Sequence, residues 1–461
     1  MTLRLDYAHM LARHVQGGLD DVAWRAAGDH LSRAMEAAAR LEREGKVGFV
    51  EIVSGAPDLT ELRKFADGVG QAFSDVVVLG IGGSALGAIA LRSALRSPRW
   101  NELDDERREF YPRLHVLENV DPSSVLELLG RIELGRTLFI VISKSGGTPE
   151  TMAQYLIVRD RLARAMGEGF HRHLVFITDP EKGALRRIAR EERIVSLGVP
   201  SNVGGRFSVL SPVGLLPAAL VGIDVVELLA GAADMLRRGR NASIESNPPG
   251  AFAVLQWLAD TSRGLHNHVL MPYSDPLRDL SAWFVQLWAE SLGKTRSDGV
   301  AVGPTPIAAL GATDQHSQVQ LFMEGPRDKT VTFIGVRERA GDLEIPSIHP
   351  DIAELAYLGG HSLGALLDVE RRATAGALAR AGRPNMTLEV ERLDAWHLGG
   401  MLMFFELATL YAGMLYGIDP LVQPGVELGK RFTFAMLERP DADEARREWA
   451  SVPKAEPRWV E

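Results

Sequence analysis

Apolar and polar positions follow two rhythms along this chain. Over residues 1–70, charged and apolar positions recur at helical spacing, as at Leu31, Met35, Ala38 and Leu41, which predicts a helical N-terminal extension capping the next unit. Short, mostly apolar runs that read as strands then fall at 76–79, 114–117, 138–142 and 174–177. The run at 138–142 (Leu-Phe-Ile-Val-Ile) is of the kind that lies buried on both faces of a parallel sheet. Each run leads into a helical stretch, and that alternation predicts βαβ units and a doubly wound parallel sheet over 71–240. The Pro- and Asn-rich stretch 241–250 reads as a linker or helix-entry loop. A second α/β unit follows over 241–420, with strands near 269–271 and 330–336, an amphipathic helix over 274–294 stopped by Gly293, and a long apolar helix over 394–416. The last segment, 421–461, opens on a helix start with Pro424 just inside it and closes with a charged, solvated helix beyond Pro440.

Composition narrows the classes. A chain of 461 residues that is 46% hydrophobic and 24% charged has ample material for the core of a globular enzyme. Its 60 acidic against 51 basic side chains leave a net charge of -9 with no basic stripe, which argues against a nucleic-acid partner. An acidic protein that binds a phosphate must concentrate positive charge locally, so isolated Lys and Arg residues in glycine loops draw notice. With no cysteine, the chain has no disulfides, thiolate metal sites or cysteine nucleophiles, and it fits a reducing compartment. The N-terminus lacks the apolar run of a signal peptide. One segment, 398–418, is apolar enough for a membrane span, but Glu406 inside it and Asp419 at its end favour a buried core helix.

The chemistry lies at the loops after the strands, where open α/β sheets bind ligands. After 138–142 come Ser143, Lys144, Ser145, Gly146, Gly147 and Thr148, then Pro149 at a helix start. Such a junction aims backbone N–H groups and a helix N-terminus at one point, joined here by three hydroxyls and a lysine. This predicts a cradle for a phosphate monoester; a Ser/Gly-rich turn with Thr148 as an N-cap accounts for the same residues. Gly80, Gly82 and Ala85 fit a dinucleotide fingerprint, but the acidic residue expected ~20 positions on has no good candidate. Gly83 and Ser84 serve equally as a second wall of a phosphosugar site.

Arg206 follows two glycines, which let backbone approach a ligand; its fixed charge suits an oxyanion formed during reaction, or it is a surface arginine in a turn. Glu290 shares a helix face with Trp283 and Leu287 and sits in the last turn, where the macrodipole disfavours negative charge, a setting suited to a general base. An i,i+4 pair with Lys294 is the plainer account. His316 falls in the first turn of a helix predicted to start at Thr313 or Asp314, where a neutral ring able to exchange protons is favoured. Lys430 stands one turn from Glu427, at ion-pair spacing. His266 and His268 share one face of an extended segment, as in some metal sites, with no carboxylate spaced to complete a set.

Taken in order, Gly80-Ile-Gly-Gly-Ser84, Ser143-Lys-Ser-Gly-Gly-Thr148, Gly204-Gly-Arg-Phe-Ser208, the Glu290 helix, Asp314-Gln-His-Ser317 and Gln423-Pro-Gly-Val-Glu-Leu-Gly-Lys430 resemble the phosphoglucose isomerase family in its compact bacterial form. The glycine loops are shared with other phosphosugar-binding proteins; the Arg206 and Gln423–Lys430 signatures are more specific.

The resemblance implies an α/β fold of two phosphosugar-isomerase-type sandwich domains with helical N- and C-terminal extensions, in an intertwined cytoplasmic homodimer. It implies metal-independent isomerisation of glucose 6-phosphate and fructose 6-phosphate, with no cofactor. Ser143, Ser145 and Thr148 would hold the phosphate with Lys144 nearby, and Gly83 and Ser84 would line the sugar. Glu290 would be the base between C2 and C1, Arg206 the enediolate stabiliser and Gln423 a neighbouring binder. His316 and Lys430 would open the ring, with His316 reaching into the partner subunit's site. Gly146, Gly147 and Pro149 replace bulkier or polar residues of animal members, which leaves the fine shape of the phosphate loop open. A dual phosphoglucose/phosphomannose isomerase would keep every one of these residues. A non-catalytic phosphosugar sensor would need only the phosphate loop.

Overall fold

The computed structural model describes residues 3–454. It holds two five-stranded sheets and a two-stranded ribbon. After β1 (Leu3–Asp6), the first sheet is built from β2 (Asp75–Leu79), β3 (Arg113–Leu117), β4 (Thr137–Ile142), β5 (Leu174–Thr178) and β6 (Val195–Gly198). Its order is β3-β2-β4-β5-β6 and every pair is parallel. All six residues of β4 are buried. Leu138, Ile140 and Ile142 enter one core cluster while Phe139 and Val141 enter another, because successive side chains point to opposite faces. Helices Pro122–Arg131 and Pro149–Met166 cover the second face through Leu129, Tyr155 and Val158. The first face meets Leu86–Leu95 and Pro212–Leu220 through Leu91 and Val213. Cover on both sides is why β2, β4 and β5 read as nearly unbroken apolar runs.

The second sheet takes β7 (Asn267–Pro272), β10 (Thr305–Ala308), β11 (Lys329–Glu338) and β12 (Asn385–Arg392), with β8 (Lys294–Thr295) and β9 (Ala301–Val302) forming the ribbon. Its order is β1-β12-β11-β7-β10. Four strands are parallel, but β1 joins antiparallel at the edge, Leu3 opposite Val390. The N-terminal segment is therefore not purely helical and does not cap the first unit alone. Its strand extends the second sheet, and helix Ala27–Arg43 packs on Pro248–Arg263 and Ala395–Tyr416.

Helix Ala395–Tyr416 starts at Asp394, whose carboxylate accepts from the His397 N–H, and stops at left-handed Gly417. Its most apolar stretch is 89% buried within the fold, as expected of a core helix. Glu406 at its middle is enclosed with neither oxygen partnered, and burial pushes its carboxyl well above the usual range, so it is held as the neutral acid. Helix Glu427–Met436 packs on Asp443–Ala450 through Ala435, Ala442 and Ala445. The end of the charged tail expected beyond Pro440 lies outside the described residues.

Each sheet has a point where the chain reverses its direction of travel across the strands. In the first sheet β2 is flanked by β3 and β4, so the reversal lies between β2 and β4; in the second it lies between β7 and β11. Crevices for ligands form beyond the carboxyl ends of strands at such points. The loops 80–84 and 143–148 both leave the first of these.

Candidate active site

The loop after β4 is held from below. Ser143 N–H continues the ladder to the Ile177 carbonyl at 3.1 Å, and the Thr178 hydroxyl donates to the Ser143 carbonyl at 2.7 Å. Gly146 turns the chain at φ +65, and a Cβ there would lie 3.0 Å from the Ala184 and Leu185 nitrogens, so a side chain would be both strained and crowded. The Ser143 and Thr148 hydroxyls face each other at 2.9 Å, and Ser145 Oγ accepts from the Gly147 N–H at 3.3 Å. No side chain caps helix Pro149–Met166, so the Thr148 N-cap reading does not hold at the level of its hydroxyl. In its first turn the Thr151 hydroxyl is buried without a partner. Hydroxyls and open helix amides thus converge in one turn. Lys144 is used differently: its ammonium donates to the Ser201 and Val203 carbonyls at 2.7 and 2.8 Å, tying the loop to the segment before Arg206.

The glycines of 80–84 make room for protein. A Cβ on Gly82 would lie 2.8 Å from Gln286 Nε2, and one on Gly83 would lie 2.3 Å from the Gly205 carbonyl. The approach that a dinucleotide fingerprint reserves for pyrophosphate is filled by the chain's own side chain and turn. Half-buried Ser84 closes this wall.

Arg206 is buried and all its nitrogens are engaged. Nε donates to Ser291 Oγ at 2.6 Å, Nη1 to Gln423 Oε1 at 2.8 Å, and Nη2 to the Pro420 carbonyl and, at 3.2 Å, the Val422 carbonyl. Nη1 also lies 3.5 Å from Glu290 Oε2. Burial weakens the guanidinium's hold on its proton and Glu290 restores part of it; an arginine keeps its charge under both. It is not the surface arginine of a turn.

Glu290 departs from its expected surroundings. Trp283 and Leu287 are buried in the core, while the carboxylate, a third exposed, accepts from Gln286 Nε2 at 3.0 Å and faces Arg206. Nor does it pair with Lys294. That ammonium donates to the Glu290 and Ser291 carbonyls at 2.9 and 2.5 Å, closing the helix C-terminus. Burial, then the Arg206 charge, pulls the Lys294 amine down to about 8. A cavity of about 700 Å³ borders this end of the helix, lined among others by Glu290, Lys294, Asp419 and Gln423.

His316 and Lys430 stand away from this cluster. His316 ends the four-residue 3-10 turn Thr313–His316, not the expected helix start, and is exposed. Its neighbours fix the turn: Asp314 Oδ2 accepts from the Leu310 N–H at 2.7 Å, and Gln315 Oε1 accepts from the Tyr273 and Thr374 hydroxyls. Lys430 is exposed and pairs with Glu427 at 2.8 Å. His266 and His268 do not share a site. His266 sits on Asp260 at 2.5 Å, while buried His268 accepts from Trp288 Nε1 at 3.2 Å, with burial drawing its pKa down to about 3. Gln286, Ser291 and Thr151 went unread in the sequence. The spacing of four between Gln286 and Glu290 was the one available sign.

A family model described as phosphoglucose isomerase matches residues 62–455. The chain is 46% identical over 437 residues to a glucose-6-phosphate isomerase of Rubrobacter xylanophilus, covering 94% of this chain and 98% of that protein. Among solved structures, a hypothetical protein of Thermus thermophilus superposes with a TM-score of 0.85 at 36% identity, over 95% of this chain and all of that one. A glucose-6-phosphate isomerase of Chlamydia trachomatis gives 0.72 at 25% identity, over 92% of this chain and 81% of that one.

Proposed function

This chain belongs to the phosphoglucose isomerase family, and from that premise we propose how its residues divide the work. The reaction is the interconversion of glucose 6-phosphate and fructose 6-phosphate, an aldose–ketose isomerisation through a cis-enediolate. Ser143, Ser145 and Thr148, with the uncapped helix N-terminus behind them, hold the phosphate. Lys144 braces that loop, and Gly83 and Ser84 line the sugar. In the opened sugar Glu290 takes the C2 proton and returns it to C1. Arg206 meets the negative charge that forms on oxygen between the two steps, and Gln423 and Ser291 keep its planar fork aimed. His316 and Lys430 open the ring, with His316 acting in the partner's site of a homodimer. His316 is exposed, as are Leu343, Ile348, Leu355 and Tyr357 between β11 and helix Leu363–Arg380, which suits burial against a second copy. We place the protein in the cytoplasm, where sugar phosphates form and a cysteine-free chain is at home.

The observation that carries this reading is the buried Arg206 at 3.5 Å from a carboxylate that Gln286 holds from its other side. A phosphosugar sensor has no use for that pair. The experiment is a coupled isomerase assay with fructose 6-phosphate, then mannose 6-phosphate, on wild type and on Ser145→Ala/Thr148→Ala. Losing two hydroxyl donors to a charged acceptor, each worth about 1.5–3 kcal/mol, raises KM for the phosphate ester. Unchanged KM would remove the loop from the site.

A further inference from the structure

The second sheet has its own crevice, and nothing above uses it. Beyond the carboxyl ends of β7, β11 and β12 lies a cavity of about 720 Å³. It is within the size range of small-molecule sites and stands at the reversal between β7 and β11. Ser274, Val336, Arg339 and Arg392 come from the sheet side, Arg96 and Gly222 from the first unit. No catalytic or binding residue assigned above lines it.

The carboxylates of its wall are already engaged. Asp224 accepts from the Val226 and Glu227 N–H groups at a helix start. Asp394 accepts from the His397 N–H at another and from Arg392 Nε at 2.8 Å, and Arg392 also lies 3.9 Å from Glu338. The two helix N-termini offset the first two acids. Arg96 has no such partner. Its guanidinium is held over the Trp100 and Tyr111 rings, at 5.1 and 5.7 Å, and makes no hydrogen bond or ion pair among the described residues; its Nε is buried and unpaired. Glycine at 222 is what admits it, since a Cβ there would lie 2.6 Å from Nη2. Among the described residues Arg339 makes one hydrogen bond, to the Tyr273 carbonyl at 3.3 Å, and otherwise feels only the charge of exposed Asp342. Two arginine forks with spare donors, and the Ser274 hydroxyl, therefore line a cavity of metabolite size.

We infer that this cavity is a second anion site, taking a small molecule that carries a phosphate monoester, with Arg96 and Arg339 binding the phosphoryl oxygens. The site lies at the far ends of two packed helices. Leu86–Leu95 begins at the Gly82–Ser84 loop and ends at this cavity; Arg278–Leu292 begins beside the cavity and carries Glu290 in its last turn. The Ser93 hydroxyl bonds Asp279 between them.

The test is equilibrium dialysis of labelled inorganic phosphate against the full chain, beside isomerase assays in phosphate-free buffer. Wild type takes up two saturable equivalents per chain. Ser145→Ala/Thr148→Ala weakens one, whereas Arg96→Met and Arg339→Gln each weaken the other by at least about tenfold and leave kcat unchanged. Should Arg96→Met fail to fold by circular dichroism, Arg339→Gln decides alone. One equivalent in wild type, or a second indifferent to the arginine variants, overturns the assignment. The first loop is judged separately, by the serine and threonine variant.

Discussion

Lys294 shows how single side chains hold this site. Its ammonium closes the helix that presents Glu290, and its pKa stands at about 8 against an ordinary 10.5. Above pH about 8 that cap loses its positive charge and holds the helix end less firmly, so the isomerisation rate falls on the alkaline side with a midpoint near 8. Stability moves the other way. Between about 8 and 10.5 the unfolded chain holds a proton that the folded chain has released, so folding gains with rising pH across that window. A falling rate with a rising melting temperature marks lost geometry, not unfolding. Lys294→Met should lower kcat throughout and abolish this limb of the pH–rate profile. A profile unchanged in the variant removes Lys294 from the account.

Among the elements, legibility followed burial and turn chemistry. β2 and β4 were plain because both faces are covered, and the loop after β4 was plain because its hydroxyls and glycines follow such a strand directly. β6 and β10 were missed as short edge strands: β6 exposes Val195, and β10 is four residues long with Pro306 inside it. β1 was unreadable because its partner β12 is almost four hundred residues away. The same distance hid the surroundings of Arg206, whose partners Ser291, Pro420, Val422 and Gln423 come from later segments. Glu290 was read with the wrong neighbours, since a helix face identifies what shares the helix and not what packs across from it. At this scale Gly146→Ala is informative. Its positive φ and the crowding by Ala184 and Leu185 should cost more than the ~1 kcal/mol of an ordinary glycine replacement and raise KM. A melting temperature and KM equal to wild type would show that the loop tolerates a Cβ.

At the scale of the whole molecule, one chain brings together the loops, Arg206, Glu290 and Gln423, but leaves His316 on its outer surface. Two copies related by a two-fold axis would complete each other. Mixing Glu290→Gln with His316→Ala chains tests this, because a hybrid dimer has one site with both wild-type groups. Random exchange should restore roughly a quarter of wild-type activity per chain, half of the dimers being hybrids with one working site. No recovery after verified subunit exchange would place His316 in its own chain's site.

If Glu290 carries the proton between C2 and C1, following that proton is the sharpest test. Glu290→Gln keeps the shape and the hydrogen bond to Gln286 while removing the base. It should lower kcat by about 10²–10⁴-fold with little change in KM, and abolish exchange of the substrate's C2 hydrogen with solvent deuterium. Exchange retained at the wild-type rate in Glu290→Gln would contradict the account and assign the proton to another group.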